Sequence, residues 1–310
     1  MSDVGISSIA GYLPRLRLSK KSVSQANAWL APNLVGKGKG TRAMANWDED
    51  SVTMSVEAIR RILGTNDDRS HVDSLFFAST TMPFSDRLNS GIIRAALTLE
   101  EQTECIDIAS TLKSGTSALI QALDKVKSGN SKYSIVSAAD KRKARAASPQ
   151  ELDFGDASVA LSVDTDNLIA KYINSSSLSI DFIDHFRQPG EEFDYNWEER
   201  WIRDEGFLKI VPKAINDLFD KTDIDGSEID HFIIPSVFPR VDQMIAKKCG
   251  IDPDKVVGNM ALTVGNTGSA HSLLMLASVL ERAKPGEKIL VCNFGNGSDA
   301  ILFETTDNIK

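Results

Sequence analysis

Several things are scarce in this sequence, and each scarcity narrows what the chain does. Its 310 residues hold three cysteines, Cys105, Cys249 and Cys292, an odd number set far apart. Neither a disulfide framework nor a zinc cluster is indicated. No apolar run approaches the roughly 18 residues of a membrane-crossing helix, and no basic start leads into an apolar core at the N-terminus. Positive charge is in deficit too: 35 basic against 43 acidic side chains leave a formal net charge of −8. That balance argues against nucleic acid or an anionic membrane as the main partner. Low-complexity tracts and flexible linkers are absent. The expectation is a soluble, cytoplasmic protein with no metal site.

What the chain does contain is one pattern written twice. In the first half an amphipathic stretch, VEAIRRIL (56–63), precedes an apolar strand, VDSLFFAST (72–80). In the second, VPKAINDLF (211–219) precedes IDHFIIPSV (229–237). Each half continues to a glycine-containing elbow, a long apolar helix and another buried strand. These are STLKSGTSALIQALDKV with YSIVSAAD, and TVGNTGSAHSLLMLASVL with KILVCNFG. Short apolar strands alternating with helices predict a buried, largely parallel sheet between helical layers. The polar stretch DTDNLIAKYINSSSLS (164–179) marks the boundary, giving halves at 1–170 and 171–310 on a shared core. Residues 72–136 and 229–291 are expected to be related units, with Leu112 and Asn266 meeting at one pocket.

The segment DIASTLKSGTSALIQAL (107–123) raises the functional question. A strand turning sharply into a helix usually presents a nucleophile where backbone N–H groups point outward. Here the apex is Leu112, which attacks nothing.

Six ordered stretches resemble motifs of the thiolase superfamily, nearest to hydroxymethylglutaryl-CoA synthase and ketoacyl synthase III. They are WDEDSVTMSVEAIRRIL (47–63), STLKSGTSAL (110–119), FGDASVAL (154–161), RWIRDEGFLKIV (200–211), GNTGSA (265–270) and FGNGSDA (294–300). The resemblance covers almost the whole chain. It implies an α/β thiolase-like fold, two pseudo-twofold-related halves in a layered αβαβα core. It also exposes departures at the site. The family's acyl-accepting cysteine is Leu112 here, its histidine is Ser236, and the synthases' glutamate is Thr80. Only the asparagine, Asn266, matches. A covalent acyl-enzyme is therefore not expected. What the resemblance leaves is an oxyanion hole of backbone N–H groups, from Leu112 and the Gly297 loop, with Asn266 to orient a carbonyl or water.

Further candidates carry two readings each. His271 reads as an acid or base beside Asn266, or as a packing histidine. His185, in the insert between the halves, is a weaker candidate of the same kind. Lys37 and Arg42 in GKGKGTR, and Lys209 in the segment that in the family lies along the CoA channel, are expected CoA contacts; ordinary surface roles compete. The aromatic stretch EEFDYNWEERWIRDEGF (191–207) is a lid or a docking face, and KRKAR (141–145) a solvated charge run. Two functions stay open. One is an enzyme making or breaking a C–C bond in a CoA thioester by non-covalent aldol or retro-aldol chemistry. Its substrate is acyl-CoA, it has no tightly bound cofactor, and it works in a complex. The other is an inactive structural or regulatory subunit paired with an active thiolase-type chain. The resemblance implies a homo- or heterodimer under both, and a small zinc-bearing OB-fold protein as partner.

Overall fold

A computed structural model describes residues 3–65 and 68–309. Nine strands form one sheet among these residues: β1 (Gly5–Tyr12), β2 (Ser74–Ala78), β3 (Glu104–Ile108), β4 (Ser134–Asp140), β5 (Ala157–Asp164), β6 (Ala170–Ser179), β7 (His231–Ile233), β8 (Lys288–Phe294) and β9 (Gly297–Thr305). Their spatial order is β7-β8-β9-β6-β1-β5-β4-β2-β3. The sheet is continuous but nearly divided. β1 and β6 share only the pairs Gly5 with Lys171 and Ile6 with Ala170. Even that contact needs a glycine, since a Cβ on Gly5 would lie 2.1 Å from Ala170 O.

On either side of this seam the connectivity repeats. In the first half, β2 runs parallel to both β3 and β4. In the second, β7 runs parallel to β8, and Val256 bridges in parallel to the other side of Phe232. The strands that the sequence marks as wholly apolar, such as SLFFA at 74–78, are buried at every position, as a strand covered on both faces must be.

Six helices complete the layers: α1 (Ser51–Leu63), α2 (Asn89–Ala96), α3 (Ser114–Lys127), α4 (Leu208–Thr222), α5 (Val241–Lys248) and α6 (His271–Leu280). α1 starts on a reciprocal cap: Thr53 N donates to Asp50 Oδ1 (2.8 Å) and Asp50 N donates to Thr53 Oγ1 (2.7 Å). Three apolar clusters define the stacking. Leu119 and Leu123 of α3 and Leu273 and Leu276 of α6 fill the centre with Val136, Leu161, Val291 and Phe303. Ile59 and Ile93 of α1 and α2 pack on Leu75 and Phe77 outside the first half-sheet. Ile215 and Ile245 of α4 and α5 pack on Phe232 and Leu290 outside the second. The result is helix, sheet, central helix pair, sheet, helix. Each fully buried side chain in these layers contributes about 1.5–3 kcal/mol.

The central pair positions the site. A Cβ on Gly115, in the first turn of α3, would lie 2.3 Å from Ser269 O at the start of α6. Glycine alone lets the two helix starts touch. The loops that feed them, carrying Leu112 and Asn266, therefore open into one cavity.

Candidate active site

The elbow between β3 and α3 is a strained turn held from two sides. Ser110 adopts φ 74°, a left-handed conformation that costs a non-glycine residue on the order of 1 kcal/mol or more. Thr111 Oγ1 donates to Gly295 O (2.7 Å), and Asn293 Nδ2 donates to Leu112 O (2.9 Å). Gly295 has no room for a side chain: a Cβ there would lie 2.7 Å from Thr111 Oγ1 and 3.0 Å from Leu112 N. The glycine that meets the elbow is thus Gly295 and not Gly297. Gly297 pairs with Ser179 in the sheet. Its φ of 123° and close approach to Leu178 O give it a backbone role two residues from the elbow. Beneath the apex, Lys113 Nζ pairs with Asp299 Oδ1 at 2.9 Å, both side chains buried. Asp299 also accepts from Thr116 Oγ1, Ser117 Oγ and Ser177 Oγ at 2.6–2.8 Å. This network ties the first turn of α3 to β9 and β6.

The elbow opens on a cavity of about 420 Å³. Leu112, Asn266, Ser236 and Gly268 line it, with Phe207, Phe238 and Phe294 as apolar walls. Asn266 is anchored by its backbone and its side-chain oxygen. Its N–H donates to Asp153 O (2.7 Å), and its carbonyl accepts from Gly155 N (2.9 Å) and Arg142 Nη2 (3.1 Å). Its Oδ1 accepts from Gly268 N (3.0 Å). The amide Nδ2 has no partner among the described residues. Ser236 Oγ accepts from Phe238 N (3.1 Å), a turn-forming contact.

His271 is close to Asn266 in sequence but is turned away from this cavity. Its Nδ1 accepts from Thr267 N (3.0 Å) and its Nε2 donates to Asn259 O (2.9 Å). Both nitrogens are engaged inside the protein. Burial pushes its pKa down to about 4, so the ring is neutral at physiological pH. The acid/base role read from the sequence does not fit this geometry, because no ring nitrogen is free to meet a substrate. His271 borders instead a small side chamber of about 60 Å³ with Lys20, Asp153, Ser236, Asn259 and Asn266.

Arg142, Asp153 and His185 are among the ionisable residues that line the main cavity, and only the last of them was singled out from the sequence. Arg142, from the stretch read as a solvated charge run, is buried; its guanidinium lies 3.8 Å over the Phe154 ring, and burial lowers its pKa. Asp153 closes the short helix Pro149–Asp153. It borders both chambers, and burial raises its pKa against the pull of Lys20 and Lys37. His185 has its Nδ1 3.1 Å from Asp184 Oδ2, so the insert histidine reaches the cavity that His271 does not.

Of the expected cofactor contacts, Lys209 pairs with Glu205 one helical turn away at 2.6 Å on the solvent side and lies outside the cavity lining. Arg42 is half-buried near Asp156 and Glu151, with its pKa lowered by burial. Lys37 is exposed at the end of the turn Pro32–Lys37 and near enough to Asp153 to influence it. Cys105 sits in β3, and Cys249 and Cys292 are buried; no thiol reaches the elbow. The aromatic segment divides between roles. Trp197, Ile202 and Phe207 line the cavity, the last two set by a π-helical stretch over Ile202–Phe207. Trp201 stacks on Phe182.

Paired half-sheets around two central helices, with a strand-to-helix elbow at their shared cavity, define a thiolase-like fold. Residues 219–303 match the model of 3-oxoacyl-[acyl-carrier-protein] synthase III, C-terminal. The chain is 29% identical to a hydroxymethylglutaryl-CoA synthase of Caldivirga maquilingensis, across 99% of this chain and 89% of that protein. It is 27% identical to the same enzyme of Pyrococcus horikoshii, across 100% and 89%. Among solved structures, a hydroxymethylglutaryl-CoA synthase complexed with CoA superimposes with a TM-score of 0.88 at 18% identity, covering 99% of this chain and 83% of that one. A 3-oxoacyl-(acyl carrier protein) synthase III of Pseudomonas aeruginosa gives 0.85 at 17%, covering 98% of each. A variant of OleA from Xanthomonas campestris gives 0.85 at 18%, covering 98% of this chain and 96% of that one. The chain thus has a thiolase-like fold and is similar along its whole length to hydroxymethylglutaryl-CoA synthases, and in its C-terminal part to synthase III proteins.

Proposed function

We propose that this protein binds an acyl-CoA and makes or breaks a C–C bond in it without forming an acyl-enzyme. The observation that carries the reading is the elbow itself. The turn is strained, clamped by Thr111 and Asn293 and backed by the buried Lys113–Asp299 pair, while its apex is a leucine. A donor made of backbone does not need a cysteine: Leu112 N–H donates to no described residue and is available to a thioester oxygen. One such preorganised donor is worth about 3–4 kcal/mol to a developing oxyanion. The free amide of Asn266 orients the second carbonyl or the hydroxyl. Lys37, near enough to Asp153 to influence it, is the candidate contact for the phosphates of CoA, since Lys209 pairs with Glu205. Without a thiol, acyl transfer does not compete with cleavage or condensation.

The second reading, an inactive subunit paired with an active thiolase-type chain, is favoured by one observation. Phe186, Tyr195, Trp197 and Trp201 are each 41–56% exposed and adjacent along one surface segment. Such a surface is suited to a partner chain, including the zinc-bearing OB-fold protein that the resemblance implies. One assay separates the two. In the complex reconstituted with its partners, Asn266→Ala is expected to lower turnover of a 3-hydroxyacyl-CoA by about 10²-fold or more, with folding and assembly intact. Unchanged turnover overturns the enzyme reading and leaves the subunit. Loss of assembly on Trp201→Ala with unchanged turnover per complex supports the docking face.

A further inference from the structure

With the family's thiol and histidine replaced and His271 locked, the proposed chemistry still requires a group that moves a proton inside the cavity. We propose that Asp153 is that group, the general acid/base of the site, working beside Asn266 with the buried ammonium of Lys20 behind it. The inference rests on the acyl-CoA reading above.

Four observations support it. Asp153 borders both the main cavity and the side chamber. Its backbone carbonyl accepts from Asn266 N at 2.7 Å, which holds the two residues side by side. Its carboxylate oxygens accept no hydrogen bond from any described residue, although the group is half-buried. Most buried carboxylates are tied down by donors, as Asp140 is by Ser79 Oγ, Thr80 N and Ser269 N. Last, Lys20 is buried with Ala261 O (2.7 Å) as its acceptor, placing a cation in the side chamber without a saturating ion pair.

The step balances without a co-reactant. In cleavage, Asp153 carboxylate takes the proton of the C3 hydroxyl. The C2–C3 bond breaks, C3 leaves as a carbonyl, and the electron pair passes into a thioester enolate held at Leu112 N–H. Asp153 then returns the proton to C2, giving the shortened acyl-CoA. Condensation is the reverse. His185 is the competing group; its Nδ1 is taken up by Asp184 at 3.1 Å, and it also borders a second depression with Ser110 and Asn296.

Proton transfer at C2 is measurable without cleavage. Acetyl-CoA is incubated in D₂O with the full-length native chain, Asp153→Asn, Asp153→Glu and His185→Gln. Exchange at C2 is followed by NMR, and binding of the same ester by calorimetry. The native chain is expected to bind and exchange. Asp153→Asn should bind equally and lose about 10²-fold or more in exchange, Asp153→Glu should recover part, and His185→Gln should lose less than Asp153→Asn; a larger loss in His185→Gln overturns the assignment to Asp153. Native exchange should rise with pH through one ionisation above the ordinary carboxylate range, set by burial and by Lys20, Lys37, Glu199 and Arg142 around Asp153. Undiminished exchange in Asp153→Asn overturns the role of Asp153 alone. Binding without exchange in the native chain also overturns it. Absence of binding overturns the acyl-CoA reading and this role with it.

Discussion

The two ring nitrogens of His271 are both engaged inside the protein, and that gives the residue a thermodynamic signature in place of a catalytic one. Its pKa falls from an unfolded value near 6.5 to about 4 in the fold. Between those values the unfolded chain binds the proton and the folded chain does not, so stability is fully present above pH 6.5 and declines as pH drops toward 4. The contribution lost is about 3 kcal/mol. Urea titrations of the native chain and His271→Gln across pH 4–7 should show a difference that shrinks as pH falls; a constant difference contradicts the assignment. Asp153 behaves in the opposite sense. Its raised pKa means that the folded state prefers the proton, so ionisation destabilises the fold as pH rises. Asp153→Asn should therefore raise the melting temperature at pH 7 and not at pH 3; a lower melting temperature at pH 7 contradicts that. The spacing GNTGSAH placed His271 beside Asn266 along the chain. The direction of the ring depends on Asn259, a residue outside that motif, and no spacing rule carries it. Arg142 was missed for a related reason: one arginine of KRKAR turns inward over Phe154, and charge density says nothing about which.

At the scale of elements, the strand–elbow–helix unit was legible because its chemistry is local. The apolar run, the small residues of KSGT and the helix-forming ALIQALDKV each favour the same local structure. Its support is non-local and was only half legible. The sequence pointed to the terminal glycine loop, but the residue against the elbow is Gly295, two positions before Gly297. Gly295→Ala should push the loop off Thr111 and cost about 1–3 kcal/mol, with loss of any acyl-CoA effect that depends on Leu112 N–H. Asp299→Asn leaves Lys113 buried without its charge partner and should cost about 3–5 kcal/mol, read as a lower urea midpoint at unchanged slope. Native-like midpoints in both variants would show that the elbow is held by something else.

For the molecule as a whole, the duplicated pattern foretold the two half-sheets and the helix pair between them, since hydrophobic periodicity encodes layers well. It did not foretell strand direction: the sheet expected to be largely parallel is antiparallel at five of its eight strand pairings. Nor did it foretell that the halves share one sheet through the β1–β6 seam, because the pairing of Gly5 with Lys171 joins distant segments. The seam and the contact of Gly115 with Ser269 bring both elbows to one cavity, and the account stands on what that cavity does to a thioester. The direct measurement is ¹³C NMR of acetyl-CoA labelled at the carbonyl, bound to the native chain. The account predicts an intact thioester signal shifted downfield by hydrogen bonding at the elbow, reduced in Gly295→Ala, with no protein-bound acyl resonance. A covalent acyl signal on the protein, or a bound thioester with an unshifted carbonyl, would contradict it.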